Sequence, residues 1–159
     1  PPSHRHLPRL AFARNPFSWY VSWFHFQRKE ARSEFFLRIS DGGTLDFQAT
    51  MRRALTGDGP LAHSAGALTQ TLLDMLGEGL EGARVGKMEQ MREDMLRLFG
   101  ECTEVPAAMA RAIRELPPQN TSSHRHYSSY YDDELRRLVR DKDAPVFDFF
   151  GYEWEDAPS

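Results

Sequence analysis

The segment RLAFARNPFSWYVSWFHFQR, residues 9–28, changes its pattern half-way. Residues 9–13 form a short apolar run, which predicts a buried strand. Arg14-Asn15-Pro16 reads as a corner, and Pro16 suits the first turn of a helix, where its missing N–H costs nothing. That helix is expected to run to about residue 32. Phe17, Trp19, Val21, Trp23 and Phe24 cover much of its circumference, so it should be buried on most sides. Strand, corner and helix start together bring the Arg14 guanidinium to a place where backbone N–H groups already favour an anion. A guanidinium offers a fork of hydrogen bonds to phosphate oxygens. The Ser22 hydroxyl, eight residues on and roughly two turns into the helix, can add another. The same residues also suit an Arg paired with a carboxylate and a Ser bonded to its own helix backbone. Spacing alone leaves both readings open.

Outward from this segment the chain reads as mostly helical. "SDGG" (40–43) is a turn, after which Thr44 or Asp46 can cap a helix carrying Phe47, Met51 and Leu55 at four-residue spacing. Residues 56–66 look like an irregular loop, and Leu68, Leu72, Leu73 and Leu76 restore a helical period. "ARVG" (83–86) reads as a second short strand. Met88, Met91, Met95 and Leu98 then mark one face of a helix that Gly100 can end, a stripe expected to fill the core rather than to ligate. A second loop, 117–126, precedes a helix with Tyr131, Leu135, Leu138 and Val139 inward and Asp132 or Asp133 near its positive end. Ala144-Pro145 is expected to break that helix before an aromatic closing segment, "VFDFFGYEW" (146–154).

At 159 residues the chain is expected to form a single domain, and 40% apolar and 12% aromatic residues exclude a disordered segment. A net charge of −3 gives no reason to expect a nucleic-acid partner. Residues 1–38 nevertheless carry seven Lys/Arg against two acids, a net of +5, which suits a local anionic ligand as well as a plain solvated surface. Cys102, the sole cysteine, rules out a disulfide framework or a four-thiolate metal site within the chain and favours a reducing, cytoplasmic compartment. Asn120-Thr121-Ser122 fits a glycosylation sequon, a tripeptide too common to relocate the protein. No apolar run approaches the roughly 20 residues of a membrane span.

Several motifs fail on context. Gly77 to Gly82 fits G-x-G-x-x-G but follows a helical pattern, and Glu78 and Glu81 would repel a pyrophosphate. Gly86-Lys87-Met88 lacks the upstream glycine and the Ser/Thr of a phosphate loop. His4 and His6, like His124 and His126, lie in the repeated tetrapeptide "SHRH" and could share a metal from extended backbone. With no carboxylate or thiolate to complete either set, no metal is expected. No G-x-S-x-G elbow supports a hydrolase triad.

Three blocks together resemble the sulfotransferase family. "FARNPFSWYVSWFHFQR" (12–28) resembles the family's strand-loop-helix that binds the donor's 3′-phosphate. "ARVGKMEQMREDMLRLFG" (83–100) is similar to its later strand and helix, and "NTSSHRHYSSYYDDELRRLV…DAPVFDFFGYEW" (120–154) to its closing segment. They cover about half the chain, in the family's order. The resemblance implies an α/β, P-loop-like sulfotransferase fold, present here as its helix-rich carboxy-terminal portion with a few short parallel strands. It implies transfer of a sulfuryl group from 3′-phosphoadenosine 5′-phosphosulfate to a hydroxyl or amine, without a metal. The acceptor would be a small molecule or a carbohydrate. It assigns Arg14 and Ser22 to the 3′-phosphate, and Ser123 and Arg125, in the 120–125 loop, to a second polar clamp on the nucleotide. Tyr127, Tyr130 and Tyr131 are expected to pack the closing segment. The family's Gly-rich loop for the 5′-phosphosulfate has no counterpart before residue 9. With Pro1-Pro2 in place of Met, residues 1–159 are therefore expected to be one partial domain, and the catalytic base is unassigned, although His4 and His6 lie near the family's usual position. Two alternatives remain: a non-catalytic helical module using Tyr152 and Trp154 as exposed anchors, and another phosphate-binding enzyme such as a kinase.

Overall fold

Two short strands and eight α-helices are seen in the computed structural model, which describes residues 9–57, 66–76, 84–117 and 124–157. Their contacts fall into two compact units, Pro1–Arg14 with Leu72–Thr121, and Asn15–Thr71 with Ser122–Ser159.

In the first unit β1 (Leu10–Ala13) pairs in parallel with β2 (Arg84–Lys87), Leu10 opposite Arg84 and Ala13 opposite Lys87. Both expected strands form, each within one residue of its predicted start. Ala11 and Ala13 are buried and Leu10 and Phe12 less so, the two-residue alternation of a pleated strand. α5 (Met91–Gly100) packs on β2, and Gly86 permits the approach: a Cβ there would lie 2.8 Å from both Asp94 Cβ and Phe12 Cε1. Asp94 fastens the joint, its Oδ2 accepting from Lys87 N at 2.6 Å and its Oδ1 from Arg97 Nη2 at 2.8 Å. Burial works to raise the Asp94 pKa, but the Lys87 N–H and the Arg97 guanidinium outweigh it and hold the carboxyl below its usual range. The methionine stripe is only partly inside. Leu98 is buried, Met91 and Met95 are half-buried and Met88 is exposed. α6 (Ala107–Glu115) was not expected, although its alanines favour a helix and Met109 and Ile113 stand one turn apart on one face.

The second unit is built around α1 (Pro16–Phe26). Asn15 caps it, its Oδ1 accepting from Phe17 N at 3.0 Å, and Pro16 takes the first turn. The helix extends through a wider turn, Gln27–Ala31, in which Arg32 N donates to Gln27 O at 2.8 Å. It stops at Arg32, in the left-handed region at φ 41°. Ser33 then caps α2 (Glu34–Ile39), six residues that are too few to display a period in sequence. Asp41, Gly42 and Gly43 at φ 52°, 69° and 92° form the expected turn, a backbone that glycine adopts freely. Asp46 rather than Thr44 caps α3 (Phe47–Thr56), through Ala49 N at 2.9 Å, and Phe47, Met51 and Leu55 are buried as expected. α4 (Ala67–Leu76) buries Leu68, Leu72 and Leu76, its first five residues belonging to this unit and the rest to the other. Asp132 caps α7 (Asp133–Lys142), which packs against α1 and α3 through Leu135 and Val139. Pro145 does not simply end it. It lies in the first turn of α8 (Ala144–Phe150), which closes at Gly151 with φ 62°.

Phe17 is 1% exposed and lies at the centre of an aromatic cluster, with ring centroids 4.9 Å from Phe147, 5.0 Å from Trp154 and 5.2 Å from Tyr131. The closing segment straps across the start of α1. Tyr131 OH donates to Phe17 O at 2.9 Å, Asn15 Nδ2 to Glu153 O at 3.3 Å, and Glu155 N to Tyr127 OH at 2.8 Å. This corrects the expectation of exposed anchors. Tyr152 is buried and Trp154 half-buried, because the chain after Gly151 folds back onto α1. The expected packing role of Tyr127 and Tyr131 is observed.

A polar knot ties three helices of the same unit. Asp143, fully buried between α7 and α8, accepts from Tyr20 OH at 2.7 Å, Thr69 N at 2.9 Å and Thr69 Oγ1 at 2.8 Å. Tyr20 OH in turn accepts from Ala67 N at 3.0 Å. Burial, then the Asp143 charge, pushes the Tyr20 phenol well above its ordinary pKa.

Candidate anion-binding site

α1 carries its polar residues on one stripe. Ser18, Ser22 and His25 follow at spacings of four and three, hence on one helical face, and all three are half-buried. Ser40 and Thr50 donate their hydroxyls back to the carbonyl four residues earlier, at 2.6 and 2.7 Å. No such bond is seen for Ser22 among the described residues.

His25 is where the segment after residue 123 meets this stripe. Its Nε2 and the Tyr130 hydroxyl share a hydrogen bond of 3.0 Å. Its ring stacks on His124, centroids 5.3 Å apart and planes 12° from parallel. The Arg125 guanidinium lies over the Tyr130 ring at 5.5 Å, and that of Arg28 over Phe24 at 5.9 Å. Two cations and two stacked imidazoles thus gather at the end of α1, one turn from Ser22. His124 Nδ1 is 2.8 Å from the Arg125 carbonyl. A carbonyl can only accept, so this nitrogen carries a proton, and in the neutral ring Nε2 keeps a lone pair. That Nε2 is buried and has no hydrogen-bond partner among the described residues.

Burial, then His124, then Arg28 lowers the His25 pKa below its ordinary value. Between the unfolded value of about 6.5 and the lower folded one, the unfolded chain binds more protons, so stability should fall as pH drops through that window. Burial sets this dependence first, then the neighbouring His124 and Arg28; Tyr130, which shares a hydrogen bond with His25, and Arg125, over the Tyr130 ring, also lie nearby. His25→Gln should flatten the fall, which urea midpoints at pH 7 and pH 5.5 will register. An unchanged pH slope would place the titration elsewhere.

No family model matches the chain, and neither a curated protein nor a solved structure matches it.

The residues expected to bind an anion are divided between the two units. Arg14, half-buried, ends a segment of the first, whereas Ser22 and Arg125 belong to the second. Within the second, the Tyr130–His25 contact carries Arg125 to the helix that bears Ser22. Ser123 lies outside the described residues, as do His4, His6, Gly77 to Gly82 and the Asn120 sequon. The two histidines of 124–126 make different contacts: His124 stacks on His25, while His126 caps the turn Tyr127–Tyr130 and packs on Tyr127 with centroids 4.4 Å apart. Among the described residues no group of three or more His, Cys, Asp or Glu could hold a metal, and no helix is long and apolar enough to cross a membrane. His25 and Tyr130 were missed as site residues. The available signal was the three-residue step from Ser22 to His25, which puts both on one face of a helix otherwise apolar.

Proposed function

We propose that the chain is the donor-binding portion of a sulfotransferase, which recognises the 3′-phosphate of 3′-phosphoadenosine 5′-phosphosulfate and serves transfer of the sulfuryl group to a hydroxyl or amine. The observation that supports this reading most is the return of Arg125, through Tyr130 and His25, to the helix carrying Ser22. It adds a fork donor and two imidazoles to a half-buried hydroxyl. The strand-corner-helix order at residues 10–26 and the parallel β1–β2 pair agree with it. Arg14 is assigned to the same phosphate by the resemblance. Ser22 would donate its hydroxyl, and Arg125 would neutralise charge. Such contacts bind and orient; their contribution to rate is the fixed placement of the donor.

Thermal unfolding with two nucleotides tests the reading. Adenosine 3′,5′-bisphosphate should raise the midpoint more than adenosine 5′-monophosphate does, since a ligand that binds only the folded state adds about 2.7 kcal/mol at a hundredfold excess over Kd. Arg14→Ala and Ser22→Ala should each erase the difference, a loss of about tenfold or more in affinity for a charge-assisted bond. Equal responses to the two nucleotides in the unaltered protein would refute the assignment.

A further inference from the structure

A second basic recess belongs to the same unit, at the opposite end of α1. It is a cleft of about 470 Å³, within the size range of small-molecule sites, formed by α7, α8 and the closing segment. Two of its arginines lie over aromatic rings: the Arg136 guanidinium is 4.8 Å from the Trp154 ring centroid, and that of Arg140 is 4.8 Å from Phe147. They stand four residues apart on α7, hence on one face and one turn from each other. A cation–π contact restrains each guanidinium and leaves its N–H groups able to donate. Arg140 commits Nη2 to Asp148 at 2.7 Å, whereas no acceptor takes the guanidinium N–H groups of Arg136 among the described residues. Arg137 adds a third positive charge and Glu153 a second carboxylate, so cations outnumber acids in the lining. Guanidinium forks in excess over carboxylates are the chemistry of oxyanion recognition, and half-buried Trp154 lies beside them.

We propose that this cleft binds a small ring compound bearing a phosphate or sulfate monoester. Arg136 and Arg140 would take the ester oxygens between them, and the ring would lie against the exposed part of Trp154, the half-buried aromatic of the lining. The site is separate from the nucleotide site at Ser22 and does not depend on it.

Titration calorimetry of the full chain with phenyl phosphate, phenyl sulfate and inorganic phosphate tests this. At least one of the two esters should bind tenfold or more tighter than the inorganic ion, and the tighter of them identifies the anion. Arg136→Gln, at an exposed position, should weaken that ester at least tenfold, while Ser22→Ala leaves it unchanged. Absence of binding by both esters overturns the proposal, as does affinity that survives Arg136→Gln. Affinity that falls with Ser22→Ala instead would assign the ester to the nucleotide site and overturn it equally.

Discussion

Asp143→Ala should lower the unfolding free energy by about 3 kcal/mol or more, the largest loss expected from a single polar substitution in this chain. The carboxylate is the acceptor for the Tyr20 hydroxyl, the Thr69 amide and the Thr69 hydroxyl, and all three residues are fully buried. Removing it leaves buried donors unsatisfied, each costing roughly 1–3 kcal/mol. Gly66→Ala should reproduce much of the loss without touching the carboxylate itself. A Cβ on Gly66 would come within 2.3 Å of Asp143 Cγ, and Gly66 N is already bonded to Lys142 O at 2.6 Å, so neither side can yield easily. Asp143→Asn separates charge from shape. The amide oxygen can still serve Thr69, while its NH₂ meets a Tyr20 hydroxyl that already accepts from Ala67 N. Burial raises the Asp143 pKa despite those hydrogen bonds. With the folded value above the unfolded one, the folded chain binds more protons between them, and stability is lost as pH rises through that window. Asp143→Asn should be free of this decline. Denaturant midpoints across acidic pH measure both effects, and a loss below 1 kcal/mol for Asp143→Ala would mean that the knot holds nothing.

Phe17→Ala should cost about 3–5 kcal/mol, the range for deleting a fully buried aromatic ring. Four aromatic rings surround it: Tyr127 at 6.0 Å between centroids in addition to Phe147, Trp154 and Tyr131. These neighbours come from α8 and the segments flanking α7 and α8, and they cannot all move into the vacated volume at once. Because Phe17 is the second residue of α1, the cavity would open beneath the Asn15 cap and loosen the strap made by Glu153 and Glu155. Phe17→Leu keeps most of the volume and should cost about 1.5 kcal/mol or less. Equilibrium urea unfolding distinguishes the pair. Equal losses would show that ring stacking, rather than filled volume, holds the closing segment in place.

Much of the architecture could be read from local pattern. The strand at 10–13, the Pro16 start and the buried faces of α3, α4 and α7 follow from period and capping chemistry, which act within a few residues, while the structure chose Asp46 over Thr44 and Asp132 over Asp133 as caps. α2 escaped because it is too short to leave an apolar period, and α6 was overlooked although Met109 and Ile113 mark one of its faces. Pro145 was expected to stop a helix and instead begins one, since a proline in a first turn does both. Of the candidate site, Ser22 and the general basic character of the amino-terminal end were legible. The partners were not: His25 meets Tyr130 across 105 positions of sequence, and Tyr20 meets Asp143 across 123.

By itself the sequence determined both strands, most of the helices, and the helix face on which Ser22 and His25 fall, because those depend on neighbours within one or two turns. Only the tertiary structure decided that Trp154 and Tyr152 turn inward, that Asp143 becomes a buried acceptor, and that Arg136 and Arg140 line a cleft. The physical reason is that burial and hydrogen-bond partnership belong to the packed chain. A residue's charge and period are fixed by its neighbours in line, but its solvation is fixed by whatever the fold brings against it.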